Sequence, residues 1–550
     1  MEEKVIQTKA CTRCKQSFEI TDQDILFLDK LSPTIAWQKY NLPVPDMCPL
    51  CRQQQRCAFR NRRNLYKRKC DLTGRPIISM YSPDKPYKIY YNKDYETKFD
   101  AIECARDIDR NKSMLTQLKE LQLQVPRFHS AVVTDTMENA EYVNGSHGTK
   151  DSYLSFSVTE CEKVYYCEGI YRSVNCIDCY HVHDCELCYE CIESSKMYKS
   201  IGCNYCVNCS HCTLCFDCEN CQNCFGCVNQ VGKSYCIFNQ QYSKEDYAKE
   251  LAKYIYSEDM KKQFHDFQLK FPHKYARLVN TENSTGDDLI NAKNCINCFG
   301  LEDAEDMRHC FFLNEVKSCM DMLYYGTNLE RWYRSVTAGG NAQNIYFCME
   351  CYKNCSNLYY CDNCVENVRN CFACIGLKNK EFCIFNKQYT RQEYEKLIPQ
   401  IIEKMKSDWE RWMFLPPSYS PFGYNESLAN EHFPLNKKQA QELWFNWMDA
   451  EYAIDAPKDL QANPEIVVCE VTGKPFRLIK QELEFYKKLW LPLPHRHPNQ
   501  RHKERFAQVN LKRLRDRKCD KCWVDIKTTY SPERKEIVYC EACYNKEVYW

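Results

Sequence analysis

The chain has 550 residues, 41 of them Cys and 39 Tyr, and 44% are hydrophobic by type; this is room for roughly three to five domains with thiol- and phenol-rich cores. Lys and Arg total 75 against 74 Asp and Glu, which excludes a uniformly basic coat for nucleic acid and leaves only local basic surfaces. No run of about eighteen apolar residues occurs and the start MEEKVIQTKACTRCK is polar, so neither a membrane span nor a secretory leader is expected. The compartment is expected to be cytoplasmic and reducing, where cysteines serve as metal ligands or buried free thiols more often than as disulfides.

Residues 1–100 read as an N-terminal module. Cys11, Cys14, Cys48 and Cys51 form CxxC…CxxC, the spacing in which two knuckles converge on a tetrahedral zinc. A basic run follows at 52–69, with eight Lys or Arg and no acid. The stretch CTRCKQSF, an acidic-apolar helix and then LPVPDMCPLCRQQQR resembles a zinc-ribbon domain family of uncharacterised bacterial proteins over roughly the first sixty residues. More loosely, the whole chain resembles uncharacterised cysteine-rich zinc-ribbon proteins of bacteria. The resemblance implies zinc at Cys11, Cys14, Cys48 and Cys51, and no established activity.

After a helical connector at 101–150, a cysteine-rich array occupies 151–242. Its seventeen cysteines from Cys161 to Cys236 share one register of three, and nine fill consecutive third positions from Cys203 to Cys227. Of the 27 in-register positions from Thr149 to Cys227, 16 are Cys and 11 are Ser, Thr, Val, Ile or Met. A thiolate cage tolerates Val164 or Ile170 badly, whereas a packed interior asks only for volume and apolarity, so buried thiols are expected here rather than repeated zinc knuckles. The array also parses into nonapeptides opening on aromatic residues, which predicts a β-solenoid of about four coils of eighteen residues, with a ladder from Tyr171, Tyr180, Tyr189 and Tyr198 to Phe216 and Phe225.

A helical segment at 243–290 is followed by a second array at 291–389, whose register slips between Cys319 and Cys348, between Cys351 and Cys355, and before Cys371. The arrays end alike, in NCFGC-x8-CIFNQQYSKEDY and NCFAC-x8-CIFNKQYTRQEY, and Ser243 and Thr390 are placed as caps of following helices. Residues 390–465 read as a helical and aromatic segment with a linker at 455–464.

The C-terminal module, 466–550, is a copy of the first. At an offset of 449, residues 42–96 align with 491–545 without a gap: Arg52, Arg56, Arg68 and Cys70 meet Arg501, Arg505, Arg517 and Cys519. Each copy has places for two quartets and keeps one. Cys519, Cys522, Cys540 and Cys543 form the intact one here, matched in the first copy by Cys70, Thr73, Tyr91 and Asp94. The first copy's intact quartet is matched by Cys469, Thr472, His497 and Gln500; a site completed there by His497 with His495 or His502 is the rarer alternative to a surface loop. A second basic run spans 496–518, with nine Lys or Arg opposed by Glu504 and Asp516.

The sequence thus predicts a mainly β chain with short helices, in which two Cys-rich β-solenoid-like arrays are flanked by duplicated zinc-ribbon or treble-clef-like modules holding about two structural Zn2+ ions. No Gly-rich phosphate loop, nucleophile elbow or HExxH occurs, and His181, His183 and Asp184 fall at outward repeat positions, so no enzyme is expected. The preferred function is binding of DNA, RNA or a ribonucleoprotein through Arg52, Arg56, Arg60, Arg62, Arg63, Lys67, Arg68, Arg501, Arg505, Lys512, Arg513 and Arg515. The rival is a structural scaffold that uses the solenoid faces for protein contacts or self-association; metal storage or redox chemistry comes third.

Overall fold

The computed structural model describes residues 3–181, 186–192, 197–324, 329–330, 336–338, 349–351, 356–450 and 466–549. His183, Asp184, most of 324–341 and the expected linker at 455–464 lie outside them. The chain is mainly β with short helices. Two stacks of parallel coils fill its middle and a module bearing a cysteine quartet closes each end.

The coil follows from a three-residue rule. Inward residues alternate with two others, and the residue before each inward one adopts left-handed backbone, as at Asn175 (φ 56°) before Cys176 and Asp178 (φ 57°) before Cys179. The bend turns the chain a quarter of the way round. Glu162 pairs in parallel with Val174 and Val174 with Glu186, so one coil takes 12 residues, four triplets. This corrects the eighteen-residue coil. Nine residues make three quarters of a turn, so rings recurring every nine fall on successive faces instead of stacking: Tyr180 pairs with Ile192 and Tyr189 with Ile201.

Left-handed backbone costs a non-glycine residue roughly 1–2 kcal/mol, and Asn, Asp and His bear it best. The layers offset that strain. Gly169 donates its N–H to Phe156 O at 3.0 Å in one neighbouring coil while Phe156 donates to Cys167 O at 2.9 Å in the other direction of the ladder. Asn side chains at the bends bond from coil to coil, Asn208 to Asn220 at 3.3 Å and Asn291 to Asp303 at 2.8 Å.

Inside, many thiols of the first stack lie over two carbonyls, two residues back and nine ahead. Cys167 Sγ is 3.3 Å from Tyr165 O and 3.5 Å from Cys176 O; Ser155 Oγ makes the same pair with Tyr153 O and Val164 O, both at 3.1 Å. Cys and Ser are therefore interchangeable small donors at these positions. In the second stack the inward sets are Leu289-Ala292-Cys295-Cys298, Leu301-Ala304-Met307-Cys310 and Leu313-Val316-Cys319-Met322, all buried. Leu289 pairs with Leu301 and Leu301 with Leu313, so the thiols share their columns with Met. The slip expected before Cys371 is a coil with one extra residue, Leu358 pairing with Cys371.

Bridges begin at Val132 with Ser146 in the first stack and at Leu278 with Leu289 in the second. Each stack ends in an antiparallel turn, Ser234–Ile237 on Gln240–Gln241 and Cys383–Ile384 on Lys387–Gln388. Ser243 then caps the helix Lys244–Leu251 and Thr390 caps Arg391–Ser407 with Glu393 closing the box.

The terminal modules superpose in sequence position. Helices Pro49–Cys57 and Pro498–Phe506, and hairpins Tyr66–Lys69/Pro76–Ser79 and Arg515–Lys518/Asp525–Thr528, coincide at the offset of 449. In each module a later strand pairs with the segment leading into one stack: Ile89–Tyr90 with Arg127–Phe128, Ile537–Tyr539 with Pro272–Lys274.

Candidate metal centres and the arginine clamps

Both intact quartets are gathered: their four Sγ atoms lie within 4.8 Å of one another. In the first, Cys11 donates its N–H to Gln16 O at 2.9 Å and accepts from Lys15 at 3.0 Å, with Lys15 left-handed at φ 63°, a tight knuckle. Cys48 precedes the helix Pro49–Cys57 and donates its N–H to Cys11 Sγ at 3.3 Å. In the second, Cys519 donates to Val524 O at 2.9 Å, Trp523 takes φ 62°, and Cys540, ahead of the helix Glu541–Val548, donates to Cys519 Sγ at 3.3 Å.

The pairs Cys14–Cys48 and Cys522–Cys540 are each 3.7 Å apart at sulfur. Bonds of ~2.3 Å to a tetrahedral zinc put sulfurs roughly 3.8 Å apart, so the donor set and its spacing fit that ion. One thiol in each quartet is poised to ionise, while Cys14, Cys51 and Cys540 are shifted up. The Cys51 thiol and N–H bring Cys48 down to about 5; burial raises Cys519, but N–H groups of Cys540, Cys522 and Lys521 outweigh it and bring it to about 6. Burial, with hydrogen bonds to Cys522, Cys540 and Cys519 and then the nearby Cys519 charge, pushes Cys543 up to about 12, and a divalent cation would favour the thiolate form of the whole quartet. Four thiolates leave no open position, so such a centre braces structure.

The two degenerate places keep the knuckle without the ligands. Gly74 (φ 71°) donates to Cys70 O at 2.8 Å and Gly473 (φ 65°) to Cys469 O at 2.9 Å. Thr73 instead donates to Asp94 at 3.3 Å. His497 accepts the Asn499 N–H at 3.1 Å; burial, with Arg501 and Lys474 nearby, holds its ring at about 4. His502 does not complete the Cys469 site. Its Nε2 lies 3.7 Å from Glu168 and 3.6 Å from Glu431.

Among the described residues, groups of three or more metal-capable side chains this close are the two quartets and Glu168–Glu431–His502. No solenoid thiols form one. Burial raises some core thiols, Cys161 to about 12 and Cys167 and Cys206 well above their ordinary value, while hydrogen bonds from neighbouring thiols outweigh it at others and bring Cys203 to about 6 and Cys227 to about 5. The Glu168 group was invisible in sequence because Glu168 lies hundreds of residues before Glu431 and His502. It makes a poor cation site, since Glu168 already meets Arg62 at 2.5 Å and Arg63 at 2.9 Å.

The basic runs are placed otherwise than a phosphate-contact surface requires. Arg52, Arg56, Arg60, Arg62, Arg501, Arg505 and Lys512 are buried, so seven of the twelve expected contacts are withdrawn from solvent. Arg52 binds Asp321 through Nε at 2.6 Å, and Arg56 is 3.4 Å from the same carboxylate. Their copies Arg501 and Arg505 bind Asp178 at 2.5 and 2.9 Å. Arg60 and Arg62 lie over the Tyr324 ring, Arg62 at 3.7 Å, Arg63 bonds Glu168, and Lys512 lies over Phe312. Arg68 pairs with Asp71 at 3.0 Å. Lys67 and Arg513 are exposed and Arg515 is partly so.

The correspondence is complete in position and crossed in connection. Asp178 and Asp321 are both left-handed bend residues, one in each stack. The first module leads into the first stack yet grips the second at Asp321; the last module pairs with the lead-in of the second stack yet grips the first at Asp178. Arg52, Arg56, Arg62, Arg63, Arg501 and Arg505 are thus counterions for solenoid carboxylates, a role that sequence alone does not distinguish from a solvated face.

Fold and sites define a class: a cysteine-rich β-solenoid protein with two four-cysteine clusters compatible with zinc-ribbon-like centres. No family model and no curated protein matches the chain. Among solved structures, one described as a "putative acetyltransferase" from Desulfovibrio desulfuricans G20 aligns over 50% of this chain and 81% of its own, at 10% identity and a TM-score of 0.10, too low a likeness to carry an argument. Among the described residues no helix is long and apolar enough to cross a membrane.

Proposed function

We propose that this is a non-enzymatic scaffold in which two zinc-stapled modules clamp two solenoid stacks into one rigid body that presents its surface to protein partners. The observation that carries this reading is the duplicated clamp, Arg52 and Arg56 on Asp321 and Arg501 and Arg505 on Asp178. Basic side chains committed to internal carboxylates serve architecture. Zinc acts at one remove: Cys51 and Arg52 are neighbours on the helix Pro49–Cys57, so fixing the thiolates fixes the arginine. Partner contact is supported by tryptophans that the fold leaves outside. Trp37 and Trp490, 83% and 94% exposed, follow the first helix of each module in left-handed backbone, and exposed Trp is a frequent anchor in interfaces.

Nucleic-acid binding, the reading preferred from sequence, now rests on Lys67, Arg513 and Arg515. The deciding experiment is fluorescence anisotropy with labelled RNA and DNA across a salt series. The scaffold reading expects only weak binding, with Kd near or above roughly 10⁻⁵ M at physiological salt, and a clamp-dependent rigid shape in small-angle scattering. Tight binding that falls steeply with salt and is lost on neutralising Lys67, Arg513 and Arg515 would overturn it.

A further inference from the structure

The parts of the basic runs that the clamps leave unused converge on one cavity. It has a volume of about 680 Å³ and lies where both modules meet the segment after the second stack. The first run contributes Arg63, and the second contributes Lys503 and Arg515. Arg63 is held by Glu168, but Lys503 and Arg515 make no ion pair among the described residues. One carboxylate, Glu431, lines the space, and it faces His502 at 3.6 Å. Apolar lining comes from Phe506, Val509 and Pro434. Asn430 and Asn499 add side-chain amides that bond no other group among the described residues. The other large cavity, of about 700 Å³, differs in that its cations are largely paired: Lys261 with Glu190 and Glu258, Arg496 with Glu258, Glu470 and Glu504.

We infer that this junction cavity binds a small phosphate-bearing ligand of nucleotide size, with its phosphates on Lys503 and Arg515 and its ring system against Phe506 and Val509. The volume suits one such molecule, since ligand sites span roughly 300–1,000 Å³ and combine apolar walls with a few convergent polar groups. Arg offers a planar fork for phosphate oxygens and Lys a mobile point charge. Asn430 and Asn499 are placed to meet polar edges of the ring. A ligand here would touch both modules and the connecting segment at once, adding a bridge the clamps do not supply.

The test is isothermal titration calorimetry of the zinc-loaded full chain with ADP, GDP, UDP and CDP, with adenosine, with inorganic pyrophosphate, and with a ten-nucleotide single-stranded RNA. At least one nucleoside diphosphate is expected to bind, adenosine far more weakly, and Lys503→Ala with Arg515→Ala to weaken binding roughly tenfold or more. Lys262→Ala, in the other cavity, should leave it unchanged. Because Arg515 begins a hairpin strand, Lys503→Ala alone, on an exposed helical position, is the second variant, and retained zinc content checks its fold. No binding by any nucleoside diphosphate, or binding that ignores both variants, overturns the inference. So does tight binding of the RNA alone, which would place a strand rather than a small molecule in the cavity.

Discussion

Asp178→Asn tests the clamp where it is most exposed to failure. Asp178 is 0% exposed at its side chain and faces Arg501 and Arg505, themselves 5% exposed. Arg501 would keep Glu482 at 3.1 Å, but Arg505 has Asp178 as its close carboxylate. The variant would therefore leave a buried guanidinium uncompensated, and breaking a buried pair from one side costs about 3–5 kcal/mol. Replacing the cation as well should be milder, because no charge is orphaned: Asp178→Asn with Arg501→Met and Arg505→Met should recover much of the loss. The assay is hydrogen exchange on the zinc-loaded protein, read at amides of the helix Pro498–Phe506. Asp178→Asn should speed exchange there by roughly a hundredfold to several thousandfold, with less change in the helix Pro49–Cys57. Exchange within a few-fold of the parent, or a triple variant worse than the single, would refute the account.

Three further outcomes follow from the same structure. Elemental analysis should find about two zinc ions per chain, Cys14→Ser should remove one, and the 33 cysteines outside the quartets (41 less 8) should be largely unreactive until denaturation; six or more zinc ions, or bound iron, would sink the packed-thiol core. Cys206→Val should cost less than about 1.5 kcal/mol in urea unfolding, because Val158 and Ile170 fill the same column lower in the stack; a loss of metal or several kcal/mol would contradict this. Stability should fall as pH drops from about 6.5 towards 4. Burial holds His129, His273 and His432 at about 4, so below their unfolded value of ~6.5 the unfolded chain binds more protons than the folded one, at up to about 1.4 kcal/mol per pH unit for each. His432→Phe should flatten the slope of melting temperature against pH between 7 and 5, and an unchanged slope would count against it.

The register of three was legible because it is local: each inward position and the bend before it recur along the chain whatever the coil length. Coil length was not, since 9, 12 and 18 are all multiples of three and the tyrosines mark the wrong one. The quartets were legible from CxxC pairs, whose partners approach through short knuckles. The clamp was not. Arg52 and Asp321 give no sign of each other in sequence, and a run of arginines looks the same whether water or a buried carboxylate will receive it. The duplication held the missing clue, for Arg52 and Arg56 recur as Arg501 and Arg505 while the zinc ligands around them change.

The crossed connection also sets a timetable. Arg52 leaves the ribosome 269 residues before Asp321, which at about 5–20 residues per second is a wait of roughly 10–50 s. Through that interval the first module holds cations that have no home, and the first stack shows an unclaimed Asp178 until the chain is nearly complete. Synthesis must therefore pass through a long-lived half-assembled state, and a chaperone or an early-bound zinc ion would matter most there.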